Sequence, residues 1–300
     1  MLANNHQILG SNSRLVLLGT GGGPSIKKAR AQPSNALIIE GRVYIIDAGN
    51  GVSRQMALAN ISPKDIQGVF ITHNHSDHVA DYGTLLLRAW QSGLREPVHT
   101  FGPTPLEEMT SRYLEYMKWV IEQRTVQRDR PHLKDLILAQ NISNQEPIFE
   151  DRDLTVSATE VSHGTLRPAY AFRFQTPSWT VVFSGDTTRS DNLLELARGA
   201  DILVHEAINP DAVDSMVEQH NPGNDSFRRA LIEGHTPVEE VGQLAEEAGV
   251  KKLVLTHLVP SGIPDFDRPE IWLDGARKHF HGDIVVGEDL LEMEISPQRV

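Results

Sequence analysis

The chain contains no cysteine. That excludes disulfides and thiolate metal ligands, so any bound metal must be held by imidazole and carboxylate. Positive charge is also short: 28 Lys and Arg stand against 40 Asp and Glu, a net charge of −12. Non-specific nucleic-acid binding depends on basic patches that neutralise phosphates. The balance therefore argues against nucleic acid as a partner, with a local basic groove left open as the exception. No apolar run approaches the roughly 18 residues that a membrane-crossing helix needs, so no membrane partner is expected. The opening MLANNHQILGSNSR has no charged start followed by an apolar stretch. No secretory leader is read there, and the expected compartment is the cytoplasm, or the periplasm if a leader has been removed. Linkers, repeats and low-complexity runs are missing too. One domain over residues 1–300 is the expectation, with insertions at about 104–140 and 209–234.

What is present is a regular alternation of short apolar runs and amphipathic segments. Strands are predicted at 14–18, 35–39, 42–47, 68–72, 97–101, 154–160, 169–175, 179–184, 201–205, 252–256, 284–286 and 291–295. Helices are predicted at 50–59, from about His78 through Trp90, at 104–124, at 236–248 and at 268–280. Pro105 sits near the start of the third, where proline is tolerated. Two glutamates fall in the first turn of the fourth, where they suit the helix dipole. Residues 125–150 are polar and carry no assignment. The pattern falls into two similar halves, each ending strands with histidines. Helices covering the outer faces of two packed sheets give an α/β fold, a four-layer αββα sandwich.

The histidines number 13, and they are not scattered. Residues 72–78 read THNHSDH, directly after the apolar strand 68–72. Alternate residues of an extended segment point the same way, so His73 and His75 can converge on one ion. Asp77 and His78 follow a turn and can face a second point. Imidazole with carboxylate suits zinc, and also manganese, iron or cobalt.

The run HNHSDH resembles the HxHxDH motif of the metallo-β-lactamase superfamily. Four further motifs resemble that superfamily in order: Asp47 in YIIDAGNG, His163 in VSHG, Asp186 in FSGDT and His257 in LTHL. The resemblance implies a hydrolase with two divalent ions, zinc first among them. It implies that His73, His75 and His163 hold one ion, that Asp77, His78 and His257 hold the other, and that Asp186 bridges. Asp47 would orient these ligands from behind. Two ions so placed share a water and bring its pKa near neutrality; Asp77 could also take the nucleophile's proton.

Glu206 in LVHEA and His235 in EGHTP resemble the tRNase Z and arylsulfatase-like branch. There the glutamate orients the histidine, which assists the leaving oxygen. The GTGGGPS opening, Arg30 and Ser34 resemble the same branch. Two features depart from tRNase Z: no Gly/Pro-rich arm is visible, and LVPSG follows His257. With the acidic balance, these departures lead to an expected small-ester substrate, a phosphodiester or an aryl sulfate. A lactonase or carboxylic ester hydrolase is the alternative, with Tyr82 and Tyr170 as candidate lactone contacts. A tRNA 3′-processing endonuclease is ranked below both. In the first insertion, Met109, Tyr113, Tyr116, Met117 and Trp119 are read as core or dimer contacts, since the branch implies a homodimer. The second carries the turn Asn221-Pro222-Gly223-Asn224 and is read as a lid, on which Arg228 and Arg229 could meet an anionic substrate.

Overall fold

Hydrophobic runs flanked by Gly, Asn and Pro become strands, and they do so in two successive groups. A computed structural model describes residues 13–143, 146–220, 222–263 and 265–295. The first group is β1 (Ser13–Gly19), β2 (Ser34–Ile39), β3 (Arg42–Ile46), α1 (Val52–Leu58), β4 (Ile66–Phe70), α2 (Ser76–Val79), α3 (Tyr82–Gln91), β5 (Val98–Gly102), α4 (Leu106–Tyr116), α5 (Lys118–Arg128) and β6 (Ile137–Asn141). The second is β7 (Phe149–Asp151), β8 (Leu154–His163), β9 (Leu166–Gln175), β10 (Thr180–Phe183), α6 (Asp191–Ala197), β11 (Ile202–Ile208), α7 (Pro210–His220), α8 (Asp225–Ile232), α9 (Val238–Ala248), β12 (Lys252–Val259), α10 (Pro269–Arg277), β13 (Asp283–Val286) and β14 (Leu291–Glu294).

The strands form two seven-stranded mixed sheets, ordered β14-β1-β2-β3-β4-β5-β6 and β13-β12-β11-β10-β9-β8-β7. Alternation along the strands builds three apolar layers. Leu15, Leu17, Leu37 and Phe70 face Phe172, Phe174 and Trp179 between the sheets. Val16, Leu18 and Ile45 turn outward to Met56, Leu86 and Trp90. Leu203, Leu253 and Leu255 turn outward to Leu244, Val241 and Trp272. Because both faces of the central strands are covered, their sequences are almost continuously apolar. The expected four-layer αββα sandwich is the observed architecture.

Local expectations need correction in several places. Residues 104–124 form two helices, broken at Met117 between α4 and α5. The polar stretch 125–150 contains β6 and most of β7. Helix α6 was not expected; its short apolar face, Leu193 and Ala197, joins the second-sheet core. The segment 209–234 is helical on both sides of its turn. Val213 and Val217, four residues apart, bury one face of α7, and Leu231 packs against the same cluster. The Asn224 side chain accepts from the backbone N–H of Phe227 and caps α8. Asn221 of that turn lies outside the described residues, as do residues 1–12, on which the reading of a missing leader rests. Among the described residues no helix is long and apolar enough to cross a membrane.

Candidate metal centre

Parallel strands β3, β4 and β5 end on the same edge, and so do β10, β11 and β12. The histidine-bearing loops leave from those ends. His73 and His75 sit on the extended stretch after β4, and Asp77 and His78 on the single turn of α2. Asp186 follows β10 through Gly185, whose φ is +59°. A Cβ at Gly185 would approach the carbonyl oxygen of Tyr170 to 2.6 Å, so only glycine fits that bend. His257 is the extra residue of a β-bulge in β12: Glu206 pairs with Thr256 and Ala207 with Leu258. The bulge gives His257 a φ of +43° and turns it out of the ladder. The two sheets are tied here, because the N–H of Tyr170 donates to the carbonyl of Thr72 at 2.9 Å.

The side chains converge. Oδ2 of Asp186 lies 3.7 Å from Nε2 of His73, 3.4 Å from His78, 3.8 Å from His163 and 3.1 Å from His257. Nδ1 of His75 is 3.0 Å from Nε2 of both His73 and His163. Oδ2 of Asp77 is 3.6 Å from Nε2 of His78 and 3.5 Å from Nε2 of His257. Ligands about 2.1 Å from a tetrahedral ion stand about 3.4 Å from one another, the spacing seen here. His73, His75, His163 and Asp186 thus surround one point, and Asp77, His78 and His257 a second, with Asp186 against both.

The charge balance fits cations. His75 is exposed, but the other six residues are buried. Nε2 of His78 and Nε2 of His257 are buried with no hydrogen bond, a cost that a ligated ion removes. Burial pushes His73, His75 and His163 below the usual imidazole range, so their lone pairs are available. Burial would also lower His78, but Asp186 and Asp47 outweigh it and hold its pKa well above the ordinary value. Burial would raise the Asp186 carboxyl, but His257, His78 and His73 keep it well below the carboxylate range. Asp77 is pushed down to about 2: its burial acts the other way, and the nearby rings of His257 and His78 overcome it. The cluster is a set of anionic and lone-pair donors able to bind divalent metal.

Behind the ligands stands a second row. Asp47, at φ +61°, places Oδ2 2.8 Å from Nδ1 of His78, and its Oδ1 accepts from the backbone N–H of Thr72 at 2.8 Å. The Thr72 hydroxyl lies 3.0 Å from Nδ1 of His73. Nδ1 of His163 faces the carbonyl of Gly234 at 2.6 Å. Each contact fixes a ring and presents its other nitrogen to the cluster. Sequence reading singled out Asp47 but not Thr72 or Gly234, although both adjoin motif histidines.

Glu206 and His235 are brought together as expected. Nδ1 of His235 is 3.2 Å from Oε2 of Glu206. Oε1 of Glu206 accepts from the backbone N–H groups of Thr236 and Thr187 at 3.0 and 3.2 Å, which aims the carboxylate. The His235 ring stacks on His257 with centroids 5.5 Å apart. Burial would lower its pKa, but Glu206 raises it to about 9, so the ring is protonated at neutral pH.

Other candidates lie elsewhere. A cavity of about 300 Å³ opens over the cluster and takes Phe227, Ala230 and Leu231 from α8. These are spaced i, i+3, i+4 and share one helix face. Arg228 and Arg229 fall on the other faces. Arg228 pairs with Asp214 on α7, Arg229 is exposed, and neither lines the cavity. Tyr82 is buried, with its hydroxyl within 2.8 Å of both Thr100 and Thr110, and Tyr170 does not line the cavity. In the first insertion Tyr113 and Met117 pack on the core, whereas Tyr116 and Trp119 are exposed. A larger cavity of about 690 Å³ lies between α4, α5 and β6 and includes no residue of the cluster.

Comparison with known proteins follows from this geometry. A family model described as Beta-lactamase superfamily domain matches residues 42–258. Over 292 residues the chain is 31% identical to Ribonuclease Z of Mycobacterium bovis (strain BCG / Pasteur 1173P2), covering 95% of this chain and 99% of that one. It is 33% identical over 289 residues to Ribonuclease Z of Mycobacterium sp. (strain KMS), covering 94% and 96%. Among solved structures, human tRNase Z, short form, matches with a TM-score of 0.68 at 20% identity, over 94% of this chain and 99% of that chain.

These findings correct two expectations. The ranking of small phosphodiesters or aryl sulfates first, lactones second and tRNA last is overturned by the full-length match to proteins named Ribonuclease Z. The expectation against nucleic acid, and the small-molecule ester put in its place, fall with it. Both errors have a physical cause. Net charge sums the whole surface, whereas binding depends on the local field at one site.

Proposed function

The chain belongs to the beta-lactamase superfamily, in its ribonuclease Z-like branch, a metal-dependent hydrolase, and from this we propose that it is an endoribonuclease that removes the 3′ trailer from precursor tRNA. The observation that carries the reading is the match, at 31% identity and nearly end to end, to a protein named Ribonuclease Z. The donor set supports two divalent ions, zinc by preference because nitrogen and carboxylate ligands stand at tetrahedral spacing. His73, His75 and His163 would hold one, Asp77, His78 and His257 the other, and Asp186 both. When bound, such ions supply Lewis-acid polarisation of a phosphoryl oxygen and an activated water.

The protein's own groups do the rest. Asp77, kept ionised, stands 3.5 Å from His257 and 3.6 Å from His78 and can receive a proton from an attacking water. His235 carries a proton at neutral pH on a ring held by Glu206. Delivered to the leaving ribose oxygen, that proton would prevent build-up of alkoxide charge, a role worth about 10²- to 10⁴-fold in rate. Burial of the cluster keeps bulk water from competing for these contacts.

The direct test is cleavage of a precursor tRNA bearing a 3′ trailer by the zinc-reconstituted protein. A single internal cut that releases the trailer is expected. Turnover of bis-p-nitrophenyl phosphate with no cut in the precursor would leave the metal site intact and refute the RNA reading.

A further inference from the structure

The cavity over the cluster is lined by two kinds of surface. One side is His75, His163, Asp186 and His235; the other is apolar and includes Phe227, Leu231 and Val259. A phosphate belongs against the first side, and a flat apolar body against the second. Phe227 is 40% exposed, a state that costs water contact on a large ring unless something covers it.

The helix that carries it is held in place. Leu231 packs with Ile208, Val213, Val217 and Val259, and Asn224 caps the first turn at Phe227 itself. The ring is therefore presented from an anchored element. Volume sets the size of the guest. A space of about 300 Å³ is at the small end of ligand clefts, roughly 300–1,000 Å³, and holds roughly one nucleotide. A duplex stem is too wide for it, so the strand must enter unpaired, with one base free to turn.

We infer that the α8 wall is a single-nucleotide subsite, in which Phe227 is the platform that stacks the base of a nucleotide flanking the scissile phosphate. The inference rests on the reading of the chain as an RNA endonuclease. Stacking on an aromatic ring tolerates any base, because every base has a π face. Phe227 is thus a positioning residue that selects for an unpaired nucleotide rather than for a sequence.

A double-substitution cycle tests it. The precursor is made with an abasic residue at each flanking position in turn, and cleaved by the zinc-reconstituted wild type and by Phe227→Ala, Phe227→Leu and Phe227→Trp. At one position the abasic residue should raise KM about 5- to 100-fold for wild type and leave Phe227→Ala unchanged, the loss expected of one stacked base. Phe227→Trp should restore tight binding, and Phe227→Leu should not. Effects that multiply independently, or a wild-type KM in Phe227→Ala, would overturn the subsite. Equilibrium binding of a nucleoside 5′-monophosphate against inorganic phosphate gives a second readout that needs no cleavage. The preference for the nucleotide should be present in wild type and lost in Phe227→Ala; no preference in wild type would also overturn it. Failure of wild type to cut the base-complete precursor would instead sink the endonuclease reading, and is separately visible.

Discussion

Replacing Asp47 by asparagine changes one oxygen to an amide nitrogen, and the structure says which ion should notice. Oδ1 of Asp47 accepts from the Thr72 N–H, and that contact survives in Asp47→Asn, where the amide carbonyl can take the same place. Asparagine also tolerates the left-handed backbone at this position. The change falls on Oδ2, which stands 2.8 Å from Nδ1 of His78 and accepts from the Thr72 hydroxyl at 2.9 Å; that hydroxyl also reaches Oδ1 at 3.1 Å and can keep its bond there. An amide N–H there cannot accept a proton from the ring. His78 must then expose the lone pair of Nδ1 and carry its proton on Nε2, the atom that faces Asp77 and Asp186. An ion bound there has to displace that proton. Loss of such a supporting contact costs about 10- to 100-fold in metal affinity, or about 1.4–2.7 kcal/mol. The fold should survive, since one altered buried hydrogen bond costs about 1–3 kcal/mol against a stability of about 5–15 kcal/mol. Competition with a chromophoric zinc chelator reads the two ions separately. The ion of Asp77, His78 and His257 should weaken, and the ion of His73, His75 and His163 should not. Equal weakening of both, or of neither, would refute the argument that His78 is set by Asp47.

His73→Ala should remove at least one metal equivalent, measured by metal analysis after gel filtration, and nearly all cleavage. His235→Ala should retain both metals and slow cleavage about 10²- to 10⁴-fold. Since Glu206, against the effect of burial, raises His235 to about 9, the proton-donating form is present at neutral pH and lost as pH rises through about 9. Wild-type activity should therefore fall on the alkaline side, and the pH–rate profile of His235→Ala should lack that limb. Gly22→Ala would put a Cβ 2.8 Å from Nδ1 of His257 and 2.5 Å from Cγ2 of Val259. It should displace the imidazole and lower zinc retention while the circular dichroism spectrum stays native. Arg228→Ala, which loses only an exposed pair with Asp214, should change melting temperature and KM for precursor little.

The candidate metal centre was legible because its residues sit at strand ends and carry their chemistry in their type. His73, His75, Asp77 and His78 are contiguous, and His163, Asp186 and His257 each follow an apolar strand whose period is plain. Glu206 and His235 were legible as a pair only through resemblance, since they are far apart in sequence and meet where the chain after α8 bridges the end of β11, Ile208 to Pro237. The α7–α8 segment was hidden by its turn: Pro222 and Gly223 drew attention to a loop, while Val213 and Val217 on one helix face went unread. Phe227 could not be found at all, because a single aromatic on a helix is most often core, and only the cavity shows which way it faces. The substrate was misjudged for a different reason. Composition describes an average over the surface, and the lining of one site leaves no mark on it.

The bulge that turns His257 out of β12 has a consequence in time as well as in space. The site draws His73, His75, Asp77 and His78 from the first sheet's loops, His163 and Asp186 from the second's, and closes with His257 near the end of the chain. A growing polypeptide on a ribosome therefore exposes the dense histidine run long before it can complete the cage. Until β12 has docked beside β11, the group of Asp77, His78 and His257 lacks one of its three side chains and the paired centre is incomplete. The order of motifs along the chain thus delays the complete two-site centre until its last histidine has folded into place.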